Sequence, residues 1–285
     1  MKTPRHIVLS RKGFDSKYGG CASPILADGS LVSMPIPEEG MPLQYRHINT
    51  VTGNCNLGDL VKELTGCNVY PHSGVHLDPD VRPDLHRPGN TPWRPLFGQA
   101  DNAERHLEKQ TVGVNDLFLF FGWFRRVDHN FKFEKSADDE HVIWGWLQVD
   151  DSFDPINDEP EPVWAKCHPH CLNKQRKYNR IYVGRQSLSF ARSKPGAGAF
   201  AVYDPKLRLT HPDQKRLRSE WSIPDFFQGK LSYHANATWI RDGSRCTISS
   251  AKIGQEFVFD TAGREAKVQR WLDILFSSIP DGKSF

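Results

Sequence analysis

The run from Asp116 to Val127, DLFLFFGWFRRV, is the densest stretch of large apolar side chains in the sequence. That many aromatic and branched side chains in succession must be buried, yet the run is well short of the roughly 20 residues that cross a membrane as a helix. It reads as a central strand that delivers Arg125 and Arg126 to a polar edge. A second run, His141 to Val149 (HVIWGWLQV), follows a charged connection from Asp128 to Glu140. The pattern predicts two neighbouring antiparallel strands joined by a long excursion.

The rest of the chain supplies ordinary globular material around that pair. Of its 285 residues, 38% are hydrophobic and 25% charged, enough for a sizeable core. The 22 glycines and 20 prolines favour turns over long helices, so the expected class is α+β, a β-rich mixed fold with short peripheral helices. The opening MKTPRHIVLSRKG lacks the apolar core of a secretory signal, and no window approaches the about 18 apolar residues of a transmembrane helix. A cytoplasmic protein without a membrane partner is expected. In that compartment Cys21, Cys55, Cys67, Cys167, Cys171 and Cys246 are expected as thiols or ligands, not as a disulfide frame.

A net charge of +3 does not by itself argue for nucleic acid. Its distribution is more telling: acidic residues gather from Asp138 to Glu161, and basic ones from Lys166 to Arg192 and from Lys206 to Arg218. A cationic binding face and an ordinary solvated surface both fit that pattern.

His6 to Ser10 predicts a first buried strand leading into a loop with Arg11, Lys12, Asp15 and Ser16, followed by Gly19 and Gly20. Asp28-Gly29 predicts a turn, with Leu31 to Ile36 as the returning strand of a hairpin. Cations, a carboxylate and a serine at the end of a strand suit a polar site, and they also suit a solvated Asx-type turn. Helical spacing is present in Leu57 to Leu64, Ala100 to Lys109 and Glu265 to Ser277, the last with Val268, Trp271, Leu272, Leu275 and Phe276 on one face. Further strands are expected at Arg180 to Val183, Leu188 to Arg192, Ala199 to Tyr203 and Gly254 to Asp260.

Two polar loops carry candidate chemistry. The prolines from Pro79 to Pro95 exclude a regular helix, so His76, Asp78, Asp80, Asp84 and His86 sit on an ordered loop and offer acid–base groups or metal ligands. Cys167-His168-Pro169-His170-Cys171 packs four potential ligands, Cys167, His168, His170 and Cys171, into one segment. A zinc site normally draws ligands from separated segments, so a metal here calls for a distant residue such as His76. The competing reading makes His168 and His170 ordinary hydrogen-bonding loop residues.

Several of these segments together resemble a known family. Ile7 to Ser16, Gly19-Gly20, Ser23-Pro24-Ile25, Asp28-Gly29 and Ser33 to Pro37 are similar to the opening of the third family of nucleotide modification associated domains. His76 to Asp80, Gly113 to Phe124, Cys167 to His170 and Gly254 to Phe257 continue the likeness over most of the chain. Separately, Val112 to Phe121 followed by Val142 to Val149 is similar to the PUA, ASCH and EVE barrels that cradle modified or flipped bases. These resemblances imply one domain over residues 1–285, with a PUA-like barrel around residues 110–190 built on the central aromatic strands.

They also imply a function in the DNA base modification systems of phages and bacteria, including phage defence. The first expectation is an enzyme, of hydrolase or hydratase type, acting on a flipped or modified nucleobase in DNA or on a nucleotide. Its reaction would be hydration of the nitrile of a 7-cyano-7-deazaguanine base to the amide. Lys12, Asp15, Cys21, His76 and Asp78 are the catalytic candidates; Arg11, Ser16, Trp123, Arg125 and Trp144 are the substrate-binding ones. Zinc is the one cofactor that these candidates suggest, with Cys167, His168, His170 and Cys171 as its ligands. DNA or a nucleotide is the expected partner, together with other proteins of a modification system. The alternative is a non-catalytic reader of modified DNA or a scaffold subunit.

Overall fold

The computed structural model describes residues 2–48, 56–83, 85, 92–158, 162–173, 175–213, 217–233, 238–242, 245–249 and 256–281. Cys55, Asp84, His86, Gly254 and Gln255 lie outside the described residues. The strands are β1 (His6–Arg11), β2 (Ser23–Ile25), β3 (Leu96–Gln99), β4 (Leu117–Arg126), β5 (Glu140–Phe153) and β6 (Arg180–Gly184). They continue as β7 (Ala197–Ala199), β8 (Glu220–Ile223), β9 (Leu231–Tyr233), β10 (Thr238–Asp242), β11 (Arg245–Ser249) and β12 (Glu256–Asp260). The helices are α1 (Leu57–Leu64), α2 (Asp101–Lys109), α3 (Pro169–Leu172) and α4 (Glu265–Leu275).

A nine-stranded mixed sheet runs in the order β3-β6-β5-β4-β1-β12-β9, with β2 added beside β4 and β7 beside β5. The aromatic run is its centre. β4 pairs antiparallel with β5, as the two apolar runs predict, and parallel with β1 on its other side. Phe118, Phe120, Phe121 and Phe124 are fully buried there, and burying each such side chain contributes about 1.5–3 kcal/mol. Helix α1 starts where the Asn56 side chain accepts the Gly58 amide at 2.7 Å, and α4 buries Val268, Leu272 and Leu275 along one stripe. Beside the sheet, β10, β11 and β8 form a small second sheet.

The expected PUA-like barrel is corrected: among the described residues the strands close no barrel, and the central strands belong to an open mixed sheet. The physical cause is the chain's two ends. β1 docks on β4 and β12 docks on β1, so the sheet grows sideways past the aromatic pair instead of curling back on it. The expected strand over Leu31 to Ile36 is also absent. Its backbone is spent elsewhere: the Met34 carbonyl accepts the Phe14 amide at 2.9 Å, and only an isolated bridge links Leu31 to Ile25. Leu188 to Arg192 forms a turn, closed by the Lys194 amide on the Ala191 carbonyl, where a strand was expected.

Strand alternation sorts the polar residues. Ser10 pairs with Phe120 and Glu256, whereas Arg11 pairs with Phe121. Successive side chains leave opposite faces of a strand, so Ser10 and Lys12 go to one face of the sheet and Arg11 goes to the other.

Candidate functional site

On the Lys12 face, the loop carrying His76 and Asp78 is clamped to β3. Asp80 and Leu96 exchange both backbone hydrogen bonds, at 2.8 and 2.9 Å, which sets Asp78 opposite Gly98. The Gly98 amide then donates to Asp78 Oδ1 at 2.7 Å. Behind β3, α3 brings in two histidines. His168 is its N-cap and accepts the His170 amide on Nδ1 at 3.3 Å, and Pro169 takes the first helical position, where a missing N–H costs nothing. The proline that separates the histidines in sequence is what starts the helix that aims both rings inward.

They reach the same carboxylate. His168 Nε2 lies 3.4 Å from Asp78 Oδ1, and His170 Nε2 lies 3.8 Å from Oδ2. His76 Nε2 is also 3.8 Å from Oδ2, and Lys12 Nζ is 3.2 Å from it. Gly98 is needed for this approach, because a Cβ there would sit 2.4 Å from the His170 ring and 2.9 Å from that of His168. Asp78 is buried, and that alone would raise its pKa; Lys12, His168 and His76 reverse the effect and hold the carboxyl well below its usual range. For His76, burial opposes charge, but the Asp78 and Glu38 carboxylates prevail and raise its pKa. Burial lowers His170 to about 3, leaving it a neutral imidazole.

Its tautomer follows from its neighbours. The Asn179 amide nitrogen donates to the His170 carbonyl at 2.9 Å, which fixes the amide orientation and leaves Oδ1 facing His170 Nδ1 at 2.6 Å. Nδ1 therefore carries the proton, and the Nε2 lone pair points toward Asp78. His76 is oriented in the same manner by Glu38, 2.5 Å from its Nδ1. Among the described residues, His76, Asp78 and His170 each offer one donor atom, all within 4.8 Å of one another, a group able to hold a metal.

Asp78 also lines a pocket walled by Trp144, Val32, Val81, Leu85 and Phe200. The Trp144 indole N–H donates to the Lys12 carbonyl at 3.4 Å, which ties the ring to the segment that carries Lys12. The polar network extends to β12. Glu256 accepts from Ser10 Oγ at 2.9 Å and from Gln99 Nε2 at 2.5 Å. Its burial pushes the carboxyl up to about 7 against the pull of Lys12.

The opposite face is assembled differently. Arg218 lies 3.8 Å over the Trp123 ring and donates to Ser16 Oγ at 3.1 Å, while the Trp123 indole donates to Asp139 at 2.9 Å. Arg11, His141, Arg208 and Arg218 line a shallow pocket there together with Asp138 and Asp139. The Trp221 indole donates to His141 Nδ1 at 2.9 Å, and burial first, then Arg11 and Arg218, keep that imidazole neutral.

The sequence candidates therefore divide. Lys12, His76, Asp78, His168 and His170 converge on one cluster, and Trp144 borders its pocket. Arg11, Ser16 and Trp123 belong to the other face, and Arg125 donates to the Glu134 carbonyl at 2.8 Å beside the Phe133 ring. Asp15 is occupied locally, accepting the Lys17 and Tyr18 amides at 2.7 Å as an Asx turn does. Cys21 packs against the apolar cluster around α1, where burial raises its thiol to about 11, away from the thiolate a nucleophile needs. Cys167 is exposed, and Cys171 packs among Leu96, Ala165, Ile181 and Val183.

Sequence reasoning missed Glu38, Gly98, Asn179 and Glu256. Glu256 carried a usable signal, an acidic residue opening the apolar strand EFVF. Glu38 and Asn179 carried none, because they act by orienting a ring supplied from elsewhere in the chain. Among the described residues, no helix is long and apolar enough to cross a membrane. The family model described as nucleotide modification associated domain 3 matches residues 6–260. No curated protein and no solved structure matches the chain.

Proposed function

The chain belongs to the nucleotide modification associated domain 3 family, and is thereby associated with nucleotide or DNA modification; from that premise we propose that it is an enzyme acting on a nucleobase held beside Asp78. The observation that carries this reading is the double position of Asp78. Its carboxylate belongs both to the His76, His170 and Lys12 cluster and to the wall of the pocket containing Trp144 and Phe200. A base-modifying site needs an aromatic face to hold the extruded base and fixed polar groups at its edge, and both meet here. Lys12 is the donor that would stabilise negative charge developing on the base. For a 7-cyano-7-deazaguanine base in DNA, the reaction is addition of water across the nitrile to give the amide, with the Lys12 ammonium facing the nitrogen. The whole chain is proposed as one working unit, supported by the pairing of β1 with β12.

The test is to incubate the protein with DNA and with nucleotides, including the nitrile-bearing base, and to analyse the released nucleosides by mass. Turnover by the wild type that is lost in Asp78→Asn and in Trp144→Ala, with both variants folded by circular dichroism, supports the reading. Unchanged nucleosides, or turnover that survives Asp78→Asn, would overturn it. The reader alternative draws on a different observation, the Arg11, Arg208 and Arg218 patch with Trp123 on the other face. It requires salt-sensitive DNA binding that survives Asp78→Asn and no turnover by any form.

A further inference from the structure

We propose that His76 Nε2, Asp78 Oδ2 and His170 Nε2 form one face of a binding site for a divalent first-row transition-metal ion. The inference goes beyond the nucleotide reading and does not depend on it.

The donor set is two imidazoles and one carboxylate, the combination that holds such ions while leaving coordination positions open. The donor atoms lie within 4.8 Å of one another, with both imidazole nitrogens 3.8 Å from the same carboxylate oxygen. Bonds of about 2.0–2.2 Å would draw donors on one face to about 3–3.5 Å apart, a contraction of less than the width of an atom. Each ligand is also aimed from behind. Glu38 holds His76 through Nδ1 and Asn179 holds His170 through Nδ1, so both rings present Nε2. An outer hydrogen bond of this kind on each ligating histidine is the support that metal sites use to set tautomer and direction. Asp78 has its other oxygen occupied by the Gly98 amide at 2.7 Å, which leaves Oδ2 as the single donor.

His168 is excluded from the set by its own hydrogen bond: Nδ1 accepts the His170 amide, so Nε2 carries the proton and has no lone pair to give. The thiols are excluded by position, Cys167 being exposed and Cys171 lying in an apolar cluster behind β3. The zinc site anticipated on the Cys167 to Cys171 segment thus contributes one ligand, His170. Lys12 is the competitor, with its ammonium 3.2 Å from Oδ2. It has other places to rest, the Gly98 carbonyl at 3.5 Å and the Phe97 ring at 4.4 Å, so an arriving ion can displace it.

The experiment is titration of the chelator-treated full chain with Co(II), followed by its visible absorption, and with Zn(II) and anaerobic Fe(II), followed by calorimetry and elemental analysis. The expected result is one equivalent of ion per chain. Asp78→Asn and His170→Asn should abolish binding, and Glu38→Gln should weaken it about 10–100-fold. Cys167→Ser, Cys171→Ser and His168→Asn should retain it. Lys12→Met should bind more tightly than the wild type, a gain that misfolding cannot imitate. No binding by the wild type, binding that persists in Asp78→Asn, or a loss in Cys167→Ser would each overturn the proposal. The relative affinities of the three ions identify which one the site prefers.

Discussion

The two faces of the central sheet carry similar residue types for opposite ends. Lys12 and Arg11 are adjacent in sequence, yet Lys12 enters a buried cluster around one carboxylate, whereas Arg11 joins a shallow pocket of arginines and acids. On the Asp78 face the charges are few and dehydrated, and each is fixed by named partners. On the Arg218 face Arg11 is buried as well, but Arg218 and Asp139 are part-exposed and 3.8 Å apart, an ion pair that solvent and salt weaken. Geometry that persists when charge is buried is suited to chemistry or metal binding. A screened and adaptable surface is suited to holding a polyanion.

That contrast breaks most readily at Asp78. Replacing it with Ala removes the shared partner of Lys12 and the histidines and leaves buried cations uncompensated, for an expected loss of about 3–5 kcal/mol in denaturant unfolding. An unfolding free energy within about 0.5 kcal/mol of wild type would show that the cluster is not held by that carboxylate.

Glu256 sharpens the comparison through pH. The folded chain holds its proton more tightly than the unfolded chain does, because burial raises its pKa from 4.5 to about 7. The stability it contributes is complete below about pH 4.5 and is lost as pH rises through 7, an amount on the order of 3 kcal/mol. Glu256→Gln should flatten unfolding free energy against pH over that window. An unchanged slope would remove Glu256 from the buried network.

Gly98→Ala tests packing on the same face. The added methyl meets the His170 ring at 2.4 Å, and an expected destabilisation of about 1–3 kcal/mol should be accompanied by a shifted His170 ring resonance. The opposite face should respond least. Arg218→Ala removes a cation stacked on Trp123 for about 0.5–1 kcal/mol in thermal unfolding, and lowers the salt dependence of any polynucleotide binding by about one phosphate contact. If Arg218→Ala proved more damaging than Asp78→Ala, the ranking of the two faces would be reversed.

Much of this was legible in the sequence because it is local. The aromatic run declared the central strand, α1 appeared with the bounds that its leucine spacing gives, and His76, Asp78, His168 and His170 stood out by residue type. What was not legible is long-range. Nothing in the chain near Leu117 announces that β1 will pair beside it and β12 beyond β1, and so an open sheet replaced the expected barrel. The same holds inside the site. Asp78 meets Gly98 through the Asp80 and Leu96 pairing, and Asn179 and Glu38 matter only through rings they orient from a distance. Arg11, Ser16 and Trp123 were grouped with Lys12 by proximity in sequence or by residue type, and strand alternation and the register of β4 placed them on the other face.

Whether a base is held on the Asp78 face is read most directly from a crystal structure of the chain soaked with nucleoside monophosphates. The expected result is a base against Trp144 and Phe200 with its edge toward Asp78 and Lys12. A base stacked instead on Trp123 and Arg218, with the Asp78 pocket unoccupied, would contradict it.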